Sequence, residues 1–192
     1  MSFDNFCDEI LPYRLSHEPI EYWKEDYYEV FRPVIDTVSS DLPLEKICLT
    51  LLQYLKDQQY WTAARDFQCY GLGTLTLLHT RHGNCQEGNE LLTYMLRFVG
   101  IPSGIDLVLQ DPNSHNKKHL WTYFRNTTGK CISFDYFQTN PFNKALRKYG
   151  KIYRQCYALQ KESLPQKYKE VYIPPVLDDE LIRYVSFEFI KK

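Results

Sequence analysis

Apolar positions follow a helical period in the first half of the chain and an alternating one beyond it. Ser16-His17-Glu18-Pro19 offers a cap and an early-turn proline, and Ile20, Trp23, Tyr27 and Val30 or Phe31 follow at helical spacing. Residues 1–40 therefore read as a helical preface. Asp41-Leu42-Pro43 opens the clearest helix, since Leu44, Ile47, Cys48, Leu51, Leu52 and Leu55 form one apolar stripe. Between 61 and 80, Gly71 and Gly73 mark loop, and the run from Leu75 to His79 is too short to classify. The next helix, 86–99, buries Gly88, Leu91, Leu92, Met95, Leu96 and Val99 and stops at Gly100-Ile101-Pro102, where glycine suits a left-handed cap. Strands are predicted at 105–109, 119–125 and 130–136, the last two joined through Asn126-Thr127-Thr128-Gly129. A Pro174-Pro175 break and a final alternating strand, Tyr184 to Phe189, complete the pattern.

Composition narrows the function classes. The 16 Tyr, 11 Phe and 3 Trp among 192 residues are enough to build one sizeable core, with 41–192 as a single compact domain behind the preface. With 23 basic against 24 acidic residues there is no global field for a polyanion, so nucleic acid is not an expected partner. No apolar run approaches the ~20 residues of a spanning helix, which argues against membrane insertion. Asp4, Asp8 and Glu9 replace the apolar stretch of a signal peptide, leaving a cytoplasmic protein or the mature part of an exported one. Cys7, Cys48, Cys69, Cys85, Cys131 and Cys156 contain no CxxC pair and read mostly as small buried hydrophobes.

Cys85 is set apart by its place just before the first turn of the 86–99 helix, where unpaired N–H groups and the helix dipole favour a thiolate. A thiolate nucleophile needs a base, and the base an orienting acceptor. The predicted hairpin supplies both if His119 and Asp135 share a face, which requires an odd-length loop. Thr127-Thr128-Gly129 meets that condition with Gly129 left-handed; paired positions then sum to 256, and Asp135 falls opposite Trp121 and diagonal to His119. Cys85, His119 and Asp135 are thus expected to meet where helix start and sheet edge converge. A zinc reading of His79-x-x-His82-x-x-Cys85 or His115-x-x-x-His119 is weaker, because no second cysteine pair completes a standard site; no metal or other cofactor is expected.

These residues resemble the transglutaminase-like superfamily. The resemblance rests on Gly83-Asn84-Cys85, the Arg97-Phe98-Val99-Gly100-Ile101-Pro102 helix end, His119-Leu120-Trp121 and Phe134-Asp135. Leu11-Pro12-Tyr13-Arg14, Glu18-Pro19, Trp23, Gly104-Ile105-Asp106, Gln110, Pro112-Asn113 and Lys151-Ile152-Tyr153-Arg154 extend it toward a group common in Bacteroides-type bacteria. Asp111 stands where that group often carries Trp, and Leu120 and Thr122 flank the His-Trp strand where it often carries a small residue and Asn.

The resemblance implies an α+β papain/transglutaminase-like fold, its central helix starting at the catalytic Cys and packed on an antiparallel sheet carrying His and Asp. It implies acyl transfer through a Cys85 thioester, with His119 as base and acid and Asp135 holding the imidazole. The expected substrate is a protein, peptide or glycopeptide, and hydrolysis is favoured over cross-linking. An oxyanion donor besides the Cys85 N–H is expected from Trp61, Gln68 or Tyr70, and Trp121, Tyr123 and Tyr136 are candidates to line a cleft. Larger relatives continue into further domains. Arg81-x-Gly83-x-Cys85-x-Glu87-x-Asn89 also resembles the nucleophile block of arylamine N-acetyltransferases. A third reading is a non-catalytic binding module using the basic stretch Lys144, Arg147, Lys148, Lys151 and Arg154.

Overall fold

The computed structural model describes residues 2–15, 17–39, 41–59, 62–63, 71–109, 118–142 and 151–189. In chain order its helices are α1 (Phe3–Glu9), α2 (Lys24–Ile35), α3 (Leu44–Asp57), α4 (Thr74–Thr80), α5 (Cys85–Phe98) and α6 (Leu164–Lys167). Its strands are β1 (Thr62–Ala63), β2 (His82–Gly83), β3 (Ser103–Val108), β4 (His119–Arg125), β5 (Cys131–Phe134), β6 (Ile152–Gln155) and β7 (Ile182–Tyr184). Strands β3 to β7 form one antiparallel sheet in the order β5-β4-β3-β6-β7, and β1 pairs with β2 in a separate parallel ladder.

Helix α5 is the centre of the molecule, packed on β3 and β4 and touched by α2, α3 and α4. Residues Glu87 to Arg97 are all buried. Of the predicted buried face, Gly88, Leu91, Leu92, Met95 and Leu96 are buried, while Val99 is the half-buried C-cap beyond the helix end; the polar positions between them are buried too, each meeting a partner. Arg97 donates to the Ser103 and Arg14 carbonyls, and Thr93 to the Asn89 carbonyl. Gly100 ends the helix at φ +81°, in the left-handed region that glycine enters without strain.

The preface shares this core. Trp23, Tyr27 and Phe31 are fully buried with Leu91, Leu92 and Tyr94, and edge-to-face contacts link Trp23 to both Tyr27 and Tyr94. The helix expected from Glu18 onward begins only at Lys24. The segment before it is not helical; Glu18 is drawn into the core, where its carboxylate accepts from the Leu15 N–H and the Tyr94 hydroxyl. Helix α3 matches its predicted stripe, with Cys48, Leu51, Leu52 and Leu55 buried, and the unclassified run from Leu75 is the short helix α4.

The hairpin has the predicted register. Thr122 pairs with Phe134 and Tyr123 with Ser133, so positions sum to 256, and Asn126 closes the loop on Lys130 around Gly129 at φ +81°. Strand β3 runs from Ser103 rather than 105, buried on both sides as the centre of the sheet. Two further expectations give way. The chain from Tyr184 to Phe189 is not one strand: β7 ends at Tyr184 and Ser186–Glu188 is a 3-10 turn. Arg154, read as part of a basic face, lies on β6 and is 1% exposed, paired with Asp106 and Glu188. Lys151 is exposed, and Lys144, Arg147 and Lys148 lie outside the described residues. Among the described residues, no helix is long and apolar enough to cross a membrane.

Candidate active site

Cys85 occupies the first position of α5 because the preceding residue caps it. The Asn84 side chain accepts from the Gln86 N–H at 2.8 Å, and Glu87 reaches back to the Asn84 N–H at 2.9 Å. This reciprocal box fixes the first turn, leaving the thiol half-buried with the helix N–H groups around it. The described cysteines are all free. Cys48, Cys131 and Cys156 are buried in the packing, burial pushing Cys131 up to about 12, Cys156 up to about 11 and Cys48 higher still.

His119 is the first residue of β4, and Asp135 follows directly after β5. The hairpin register brings them together, with Nε2 of His119 2.9 Å from Oδ2 of Asp135. The Cys85 side chain lies near enough to the same imidazole to help raise its pKa. With Nε2 on the carboxylate, Nδ1 is the nitrogen left for the thiol. Desolvation alone would lower the His119 pKa, yet the Asp135 hydrogen bond and then the Cys85 contact outweigh it, and the imidazolium persists to about 9. Asp135 is 1% exposed; burial works against its charge, but the His119 hydrogen bond holds its carboxyl below the ordinary range. The three residues selected from the sequence therefore adjoin at the sheet rim.

One residue of this arrangement carried no role in the sequence reading. Asn89, fully buried one turn after Cys85, donates from Nδ2 to the Cys85 carbonyl at 2.9 Å, the Leu120 carbonyl at 3.2 Å and Oδ1 of Asp135 at 3.3 Å. Its Oδ1 accepts from the Tyr136 N–H at 3.0 Å and the Thr122 N–H at 3.3 Å. Its offset of four from Cys85, on the same helix face, was the available signal.

The remaining candidates divide. Trp121 is fully buried against Val108, Ile152 and Val185, its ring 6.1 Å from the His119 ring, so it backs the imidazole and does not line an open cleft. Tyr123 and Tyr136 are also buried, Tyr123 donating to Glu9 while the Arg154 guanidinium stacks 3.8 Å above its ring. Trp61, Gln68 and Tyr70 lie outside the described residues, as do Cys69 and His115. His79 and His82 are exposed. Among the described residues, no group of three His, Cys, Asp or Glu side chains is placed to hold a metal.

The model of the transglutaminase-like superfamily matches residues 33–136, a span that contains all three residues of the site. The chain belongs to the transglutaminase-like superfamily. Among solved structures, a proposed cysteine protease from Cytophaga hutchinsonii superimposes with a TM-score of 0.54 at 13% identity, over 79% of this chain and 52% of that one. The periplasmic domain of TgpA from Pseudomonas aeruginosa, bound to ethylmercury, gives a TM-score of 0.45 at 16% identity, over 62% and 45% of the two chains. This transglutaminase-like chain thus spans about half the length of the solved structures it matches. No curated protein matches it by sequence. At such identities the superposition speaks for the fold alone, a mixed helix and antiparallel-sheet architecture of the papain/transglutaminase-like kind.

Proposed function

We propose that this member of the superfamily is a cysteine acyl-transfer enzyme that hydrolyses an amide bond through a Cys85 thioester, with a protein, peptide or glycopeptide substrate. The observation that carries the reading is the His119 imidazole on the Asp135 carboxylate, which Asn89 ties to the Cys85 turn at the start of a buried helix.

The chemistry follows from that geometry. With its proton already resting on the His119 imidazolium, Sγ of Cys85 attacks the substrate carbonyl carbon, whose π electrons move onto oxygen. The Cys85 N–H, in the helix turn whose amides have no intrahelical acceptor, faces the developing oxyanion. Collapse of the adduct breaks the C–N bond, and the His119 imidazolium gives its proton to the departing amine. Water, deprotonated by His119, then attacks the thioester and releases the acid and the thiol. Asp135 keeps Nε2 protonated throughout, so Nδ1 does the proton transfer. An amine replacing water in the second half would give transamidation by the same groups.

An activated ester tests this without knowledge of the natural substrate. Mixing the protein with p-nitrophenyl acetate should release one equivalent of nitrophenolate in a burst and leave an acetyl group on Cys85, located by mass spectrometry. Cys85→Ala should abolish the burst. A burst retained in that variant, or acetylation spread over several residues, contradicts the proposal. The fate of the acyl group with added glycine methyl ester separates hydrolysis from transfer to amines.

A further inference from the structure

The buried amide of Asn89 touches each of the chain segments that supply the site. Nδ2 lies on the Cys85 carbonyl, on the carbonyl of Leu120 immediately after His119, and on Oδ1 of Asp135. All neighbours of Nδ2 are acceptors, while Oδ1 faces the N–H groups of Thr122 and Tyr136. The amide orientation is therefore fixed by its surroundings, and only a side chain with donor and acceptor ends at this length satisfies both sides. Its own main-chain oxygen accepts from the Thr93 and Thr122 hydroxyls, at 2.8 and 2.9 Å, which locks this part of α5 onto β4. The Asp135 carboxylate is divided accordingly. Oδ1 is held by Asn89 and by the Phe137 N–H at 3.1 Å, which leaves Oδ2 free to meet Nε2 of His119.

Resting on the acyl-transfer reading of the site, we propose that Asn89 is its positioning residue: it fixes the rotation of the Asp135 carboxylate and ties the helix turn of Cys85 to the strand of His119. An amide buried merely to satisfy a helix–strand junction has no reason to engage the carboxylate, because the Cys85 and Leu120 carbonyls already account for both N–H bonds. The third contact makes Asp135 and the nucleophile's turn share one donor, so a rotation of either is felt by the other. Other buried polar groups of α5, such as Glu87 and Arg97, serve caps and chain crossings and touch none of the three residues.

The test reads His119 directly by NMR titration in the full chain. In the unaltered protein the ring should titrate near 9, and the Asn89 side-chain amide resonances should shift with that same midpoint. In Asn89→Ala, checked by near-ultraviolet circular dichroism, the His119 midpoint should fall by about one pH unit, and acetylation of Cys85 by p-nitrophenyl acetate should slow about ten-fold. An unchanged midpoint in a folded variant, or wild-type amide resonances flat across the His119 titration, overturns the proposal and makes Asn89 a structural amide only. The amide titration needs no variant, so misfolding of Asn89→Ala leaves the proposal open to refutation. Absence of Cys85 acetylation in the unaltered protein refutes the acyl-transfer reading instead, a different outcome from a failed shift.

Discussion

His119 is where the burial and electrostatics of this protein conflict most sharply. Its ring is only 17% exposed, a setting that by itself drives imidazole neutral, yet Asp135 and Cys85 together hold the imidazolium to about 9. Stability should carry the mark of that pair. A histidine with a raised folded pKa stabilises fully below its ordinary 6.5 and loses the contribution as pH rises toward about 9. Asp135, with a lowered pKa, contributes above its ordinary 3.8 and loses that contribution as pH falls further. Urea unfolding should therefore show the pair's contribution at its fullest between these two ordinary values and fading toward pH 9, and the slope above 6.5 should flatten in His119→Ala. Asp135→Asn should bring the His119 midpoint back toward 6.5 and slow turnover on the order of 10³-fold, since the ring then loses the acceptor that sets its tautomer. A midpoint near 9 in that variant would show that Asp135 is not what holds the charge.

At the scale of elements, the first turn of α5 links stability and chemistry most directly. Asn84→Ala removes half of the capping box and should cost about 1 kcal/mol in urea unfolding while slowing Cys85 alkylation. Loss of stability with full reactivity would separate the cap from the nucleophile. What was legible in the sequence had local causes: the Leu44 to Leu55 stripe, the Gly100 stop, and the hairpin whose odd loop set the 256 register and hence the His119–Asp135 meeting. What was not legible depended on distant partners. Glu18 reads as a helix-start residue until Tyr94, 76 positions away, is known to receive it. Arg154 reads as surface charge until Asp106, 48 positions away, is seen beside it. Asn89 falls outside the apolar positions of the helix pattern, and nothing nearby in sequence shows that α5 buries its polar positions too.

The molecule as a whole places its ionic groups in two layers. On one side of the sheet α5 carries the site; Asp106 of β3 and Arg154 of β6 form a buried pair, extended by Glu188 of the 3-10 turn and joined through the Arg154–Tyr123 stack to Glu9 of α1 and Arg125 of the hairpin. Arg154→Met leaves the Asp106 carboxylate fully buried without its counter-charge and should cost about 3–5 kcal/mol in urea unfolding. A loss below about 1 kcal/mol would mean that this network is dispensable to the fold. The central claim is narrower: among the five described cysteines this architecture singles out one, by joining a helix start to a histidine 34 positions later and an aspartate 16 beyond it. Iodoacetamide labelling across pH, with mass spectrometry to locate each adduct, tests it most directly. Cys85 should label first, ahead of the half-buried Cys7, while Cys48, Cys131 and Cys156 stay protected, and His119→Ala should suppress the Cys85 rate near neutral pH. Equal labelling of Cys7 and Cys85, protection of Cys85 until denaturation, or a rate indifferent to His119→Ala would contradict it.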